Sequence, residues 1–299
     1  MPGRADLEIS RPEEEGTVTK SIAIIGAGGA GLALGCYARM NGYEADIFEL
    51  HTQPGGLCTS WKRKGYVVDG CLHWLVGSTP AAGGLYQCWK ELGALEGRRF
   101  IDHENFARVV LKDGREFNLY TNLDRLETHL KELAPEDGTT IDEFINLCRA
   151  LAKVRMTLGK PKDIQTMVEK IKGFISILPM AIPFIKYEKV SVREFAKKFK
   201  NPLLREAFPI AFDIPDFPLI AMAFSIAWMH NRTAGYPVGG SLEFSKAIEK
   251  RFLGLGGRIH YNARVDKVLV EGNRAVGLRL ADGKERRADL VVSAADGHA

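Results

Sequence analysis

Ile22-Ala23-Ile24-Ile25-Gly26-Ala27-Gly28-Gly29-Ala30-Gly31 is an apolar run that empties directly into a G-x-G-x-x-G turn. A buried strand, glycines at that spacing and a helix behind them are the fingerprint of a dinucleotide-binding βαβ unit. Gly26 lets the chain turn sharply off the strand. Gly28 lets the backbone approach a pyrophosphate with no Cβ in the way, Gly29 belongs to the same cradle, and Gly31 lets the helix pack closely on the sheet. The pyrophosphate then meets the helix N-terminus, where free N–H groups and the dipole favour an anion.

The flanking residues agree. Residues 32–40 are rich in helix formers, and Asn41-Gly42 is a suitable C-terminal stop. Residues 43–48 read as a second strand ending at Glu49, 23 residues after Gly26, where such units place a carboxylate on the ribose hydroxyls. A carboxylate there repels a 2′-phosphate, so FAD or NAD is favoured over NADP.

At 299 residues the chain has room for two cores, and 45% hydrophobic with 26% charged residues is ordinary for a globular protein. A net charge of +4 gives no ground for nucleic-acid binding. Five cysteines without a C-x-x-C pair suit reduced thiols in a cytoplasmic protein better than a disulfide framework or a zinc site. Residues 1–17 read as a disordered leader, and no run of 18 apolar residues is present to span a bilayer. HExxH, Walker and G-x-S-x-G motifs and metal-ligand clusters are all missing, so hydrolase, NTPase and metalloenzyme readings have no support.

Further along, 106–111 and 115–120 form a hairpin around Asp113-Gly114. A helix is expected over 122–133. Thr140-Ile141-Asp142-Glu143 reads as a capping box opening a helix towards Leu158, and Ser191-Val192-Arg193-Glu194 as another. Prolines 202, 209, 215 and 218 cut the next stretch into short helices. Glycine turns and strands return from Tyr236, with a hairpin around Glu271-Gly272-Asn273 and a last strand over 288–292. The layout is α/β: a Rossmann-like domain, 18–80 with 235–299, interrupted by a mostly helical α+β substrate domain at 81–234.

Four segments together resemble the phytoene desaturase and retinol saturase-like branch of the FAD-dependent oxidoreductases. They are the 26–31 fingerprint ending at Glu49; Pro54-Gly55-Gly56 with Tyr66, Asp69-Gly70 and His73; Tyr236-Pro237-Val238-Gly239-Gly240; and Gly256-Gly257-Arg258-Ile259 through Val265 to Val291-Val292-Ser293-Ala294-Ala295-Asp296. The resemblance implies an FAD enzyme that desaturates, saturates or isomerises a long apolar isoprenoid by hydride transfer at flavin N5. It implies that Gly26, Gly28, Gly29 and Gly31 cradle the pyrophosphate and Glu49 holds the ribose. Gly55 and Gly56 would run beside the ribityl region, the Val265 backbone would meet adenine, and the 69–73 segment would pass near the flavin ring. Leu57 stands where the family usually has a basic residue. Family members also continue well past Ala299, so the chain resembles the N-terminal part of such an enzyme, with a complementing C-terminal segment as a possible partner.

Two readings of His73 stand side by side: a group lining the flavin and moving a proton, or a core histidine bonded to backbone. Asp69 reads as a structural acceptor and His230 as packing. Residues 171–187 are apolar but contain Pro179 and Pro183, too short and broken to span a bilayer; between 160 and 200 ten basic residues face four acidic ones. That combination suits peripheral contact with an anionic membrane, or else a substrate-domain core with a solvated basic face. The alternatives to the main reading are an amine oxidase or protoporphyrinogen oxidase-like flavoenzyme, and a non-catalytic nucleotide-binding remnant.

Overall fold

The computed structural model describes residues 19–154, 162–212, 214 and 216–297. The expected leader, 1–17, lies outside them, as does Lys160 of the basic stretch. The chain runs through β1 (Ser21–Ile25), α1 (Gly29–Met40), β2 (Glu44–Phe48), β3 (Ser60–Arg63), β4 (Tyr66–Asp69), β5 (Leu75–Val76), α2 (Gly84–Glu91), β6 (Phe100–Ile101), β7 (Asn105–Val110) and β8 (Glu116–Tyr120). Helices α3 (Leu123–Leu133), α4 (Gly138–Ala152), α5 (Met167–Tyr187), α6 (Val192–Ala196), α7 (Pro202–Ile210) and α8 (Leu219–His230) follow. Then come β9 (Ala234–Pro237), α9 (Gly240–Gly254), β10 (Arg258–His260), β11 (Val265–Glu271), β12 (Arg274–Leu280), β13 (Glu285–Arg287) and β14 (Leu290–Ser293).

These elements form two compact units, Met1–Gly56 with Glu249–Ala299, and Leu57–Ile248. The first is built on a parallel sheet in the order β10-β2-β1-β14. Parallel strands covered on both faces read as near-continuous apolar runs, which is why 22–25 carried the signal. A Cβ at Gly35 of α1 would lie 2.8 Å from the Phe252 ring and 3.1 Å from Ile47, so the missing side chain is what lets α1 and the end of α9 close on β2. Against the opposite face, Leu278 and Leu280 of the antiparallel β11-β12-β13 meander bury Ala23 and Phe48.

The second unit holds the β7–β8 hairpin, with its Asp113-Gly114 turn, and the helices from α2 to α8. Its core gathers Phe117, Phe144, Phe195, Phe199 and Phe208, whose rings meet edge to face or tilted. Packing divides the chain at 56/57 and 248/249, where the pattern of glycine turns suggested 80/81 and 234/235. The reason is strand pairing. β3 pairs with β4, and β5 and β6 both pair with β9, so none of the strands between 57 and 80 joins the parallel sheet.

Two helix expectations need correction. α4 begins at Gly138, so Thr140 is already inside it and caps nothing; it ends at Ala152, and most of the expected extension lies outside the described residues. Asp137, at the N-cap position, spends its carboxylate on the N–H groups of Lys200 (2.7 Å) and Asn201 (2.9 Å) instead. α5 is unbroken from Met167 to Tyr187 despite Pro179 and Pro183, opening on a capping box between Thr166 and Glu169. A proline removes one intrahelical bond and kinks a helix more readily than it ends one when the flanking turns persist. No helix among the described residues is long and apolar enough to cross a membrane.

Candidate cofactor site

The four glycines of the turn are not glycines for the same reason. Gly26 sits at φ +98°, donates its N–H to Phe48 O at 2.8 Å, and would bring a Cβ to 3.3 Å from Ala294 O. At Gly31 a Cβ would lie 2.0 Å from Gly26 O. The fold itself demands both. Gly28 is different: its φ of −69° and ψ of 177° suit any residue, and a Cβ there would meet nothing nearer than Gly55 O at 4.0 Å. At Gly29 a Cβ would meet nothing within 4 Å. The space over these two residues is open, at the first turn of α1.

That first turn also lacks any side-chain cap and any acidic residue. The leading N–H groups of a helix need partners, and their partial positive charge favours an anion. An open glycine pair before an uncapped helix start fits a pyrophosphate. Gly55 closes one side: its N–H donates to Ala27 O at 2.9 Å and it bridges Gly28 in parallel. Gly56, at φ +57°, would place a Cβ 3.4 Å from Gly28 Cα.

Glu49 follows β2 and is buried. Its Oε2 accepts from Ala27 N–H at 2.6 Å and its Oε1 from His51 N–H at 2.8 Å. Each carboxylate oxygen keeps a further lone pair, so a diol can be received without loss of either bond. Glu49 O also accepts from Ala263 N–H at 2.8 Å, and His51 O from Asn262 N–H at 3.1 Å. Those bonds bring the strand start at Val265 to the same end of the sheet. All eight residues expected around the cofactor (Gly26, Gly28, Gly29, Gly31, Glu49, Gly55, Gly56 and Val265) therefore belong to the first unit.

His73 belongs to the second unit and is exposed, which removes the core-histidine reading. Its ring leans on Trp74 at 6.0 Å, and Trp74 meets Phe106 edge-on at 5.3 Å. Phe106 stacks on Phe212 at 4.5 Å and Phe212 on Phe217 at 4.8 Å, making a row of rings. His230 Nδ1 accepts from Leu123 N–H at 3.2 Å, joining α8 to the start of α3.

Sequence reasoning missed the partners of Asp69. Oδ2 accepts from Tyr236 OH at 2.5 Å and Oδ1 from Ser241 N–H at 2.7 Å. A Cβ at Gly240, itself at φ +79°, would lie 2.7 Å from Oδ2. Burial pushes the Asp69 carboxyl up, but the bonds from Ser241 and Tyr236 outweigh it and hold it below the usual range. The hydrogen bond to Asp69, helped by burial, pushes the Tyr236 phenol up to about 12. Tyr236, Gly240 and Ser241 all lie in one short glycine-rich segment, and that clustering was the available signal. Equally unforeseen is Asp46, which receives Arg258 through Nε and Nη2 (2.8 and 2.7 Å) and His260 Nε2 at 2.8 Å. The His260 ring stacks on Phe48.

A parallel sheet with a glycine cradle, an uncapped helix start and a buried carboxylate at the same end defines a Rossmann-like dinucleotide-binding unit. The profile of the flavin containing amine oxidoreductases matches residues 30–299, and the chain belongs to that family. The family is a flavin family, so FAD, ahead of NAD, is the cofactor. The chain is 26% identical over 287 residues to a lycopene-forming phytoene desaturase of Paracoccus sp., covering 93% of this chain and 55% of that protein. It is 26% identical over 282 residues to a Danio rerio protein named inactive all-trans-retinol 13,14-reductase, covering 91% and 46%. Among solved structures, an oxidoreductase from Methanosarcina mazei superposes with a TM-score of 0.55 at 24% identity, over 91% of this chain and 58% of that one. The chain spans about half the length of the curated relatives it matches.

Proposed function

We propose that this chain is the FAD-binding part of an oxidoreductase acting on a long, apolar, isoprenoid-type molecule taken up at a membrane surface. The cofactor assignment is supported by the family and by the glycine pair that the fold does not need. In this reading the first turn of α1, with Gly28 and Gly29, receives the pyrophosphate, and Gly26 and Gly31 hold that turn in place. Glu49 takes the ribose hydroxyls, Gly55 and Gly56 flank the cofactor, and the Val265 backbone meets the adenine. Bound FAD would exchange a hydride with a substrate C–H. The protein's share is to bind, align and exclude water.

The substrate class is carried by α5. Met167, Ile171, Ile175, Ile182 and Ile185 are all exposed, and their spacing of four, four, seven and three puts them on one stripe of the helix. A globular helix normally turns such a stripe inward, and an exposed one marks a contact surface. The exposed Lys170 and Lys189 near its two ends favour an anionic bilayer. In the same unit an open cavity of about 450 Å³ is lined by Val76, Leu85 and Trp228 together with Lys153, Asn231 and Thr233. The named desaturase relatives act on a molecule of this kind.

The test is turnover. Chain loaded with FAD is given a C40 polyene in anionic liposomes, and separately putrescine in buffer. A change in polyene conjugation with no amine oxidation supports the proposal; the reverse overturns it. Ile182→Glu with Ile185→Glu should abolish co-sedimentation with anionic vesicles while leaving FAD binding intact.

A further inference from the structure

β3 and β4 pair with Ser60 opposite Asp69, and Gly70 N–H donates to Thr59 O at 2.9 Å. That bond carries the contact just beyond the two strands, to the segments that hold Cys58 and Cys71. Other contacts hold this end together. Thr59 N–H donates to Leu57 O at 2.9 Å and turns the chain at Cys58. Cys58 Sγ donates to Ser241 O at 3.7 Å, and Leu72 N–H donates to Ser241 Oγ at 2.9 Å. One serine thus ties both sides of the pair. Burial raises the Cys58 thiol above its ordinary range, against the hydrogen bond with Ser245 that lowers it.

Cys71 is exposed and Cys58 half-buried, while Cys36 and Cys148 are buried. We propose that Cys58 and Cys71 form a reversible oxidation site for hydroperoxides, closing to an intrachain disulfide. Cys71, the accessible sulfur, attacks the peroxide as thiolate; the O–O bond breaks, leaving a sulfenic acid and hydroxide. Cys58 then attacks the sulfenic sulfur, the S–S bond forms, and the S–OH oxygen leaves as water. Two thiols are oxidised by two electrons, and the peroxide is reduced to water. The disulfide would fasten the strand that carries Asp69 to the turn before it. The inference stands apart from the flavin reading.

The experiment treats the full chain with hydrogen peroxide, blocks remaining thiols and digests with trypsin and chymotrypsin, which separates Cys71 from Cys88. The expected result is a Cys58–Cys71 cross-linked peptide that dithiothreitol reverses. Cys58→Ser should lose the cross-link and leave Cys71 as a sulfenic acid trapped by dimedone. Cys71 oxidised to sulfinic acid while Cys58 remains a thiol, or Cys71 joined to Cys88 or to a second chain, would overturn the proposal. Far-UV dichroism of each variant confirms that it is folded when tested.

Discussion

Alanine at Gly31 and alanine at Gly28 should fail in opposite ways. A Cβ at Gly31 would sit 2.0 Å from Gly26 O, a backbone atom that cannot rotate aside. α1 would have to lift off the end of β1, and overpacking of this kind costs about 1–3 kcal/mol or more. Set against a marginal fold of about 5–15 kcal/mol, and at about 2–4 °C per kcal/mol, Gly31→Ala should lower the unfolding midpoint by roughly 2–12 °C. At Gly28 the added Cβ meets nothing nearer than 4.0 Å, and the backbone there suits any residue. Gly28→Ala should be close to neutral for the fold: the narrowed unfolded ensemble gains about 0.4–1 kcal/mol, offset by a poorer N-cap for α1. Its cost falls on the ligand: a methyl group where the pyrophosphate approaches should weaken FAD at least about tenfold, or about 1.4 kcal/mol. Thermal unfolding of the apoprotein and FAD titration by fluorescence separate the two effects. A Gly28→Ala protein that binds FAD like the parent, or a Gly31→Ala protein that melts like it, would refute the reasoning.

Other consequences lie in the packing. Glu143 takes Lys198 at 2.9 Å, Tyr187 at 2.8 Å and Lys186 at 3.0 Å; burial pushes its carboxyl up, but those bonds outweigh it and bring it down to about 2 from 4.5. A tenfold change in proton affinity is worth about 1.4 kcal/mol, giving about 3 kcal/mol in full, which the half-exposed lysines cut by screening to about 1–2 kcal/mol. Because the folded value is depressed, that stability is present above pH 4.5 and lost as pH falls towards 2; urea unfolding of Glu143→Gln against parent should show a gap at pH 7 that closes over that window. Tyr236→Phe removes a 2.5 Å bond to the Asp69 carboxylate and should cost about 1.5–3 kcal/mol, read as a lower midpoint in urea with an unchanged slope. Gly35→Ala gains about 1 kcal/mol of helix propensity but drives a Cβ to 2.8 Å from the buried Phe252 ring; overpacking wins, and calorimetry should find the variant less stable.

The β1–turn–α1–β2 run was legible because each residue there obeys a local rule: an apolar strand buried on both faces, a positive φ at Gly26, a close approach at Gly31. Both hairpins built on Asp-Gly or Gly-Asn turns were legible for the same reason. What could not be read depended on partners distant in sequence. The 57–80 segment looks like a continuation of the nucleotide-binding domain, yet β5 finds β9, more than 150 residues away. Asp137 could have capped α4, but the N–H groups of Lys200 and Asn201 claim it. The prolines of α5 looked like breaks because a local rule was applied where the surrounding turns persist. At the candidate cofactor site the pattern named the glycines but not the distinction among them; only the space around each Cβ separates those the fold needs from those it leaves open.

The central claim is that residues 26–31, Glu49 and Gly55-Gly56 form a cradle for FAD. The most direct measurement is the visible absorption of the purified 299-residue chain after FAD is added and free cofactor removed by gel filtration. A flavin spectrum eluting with the protein, in proportion to it and lost in Gly28→Ala, is the predicted result. A chain that is folded by far-UV dichroism yet stays colourless would contradict it.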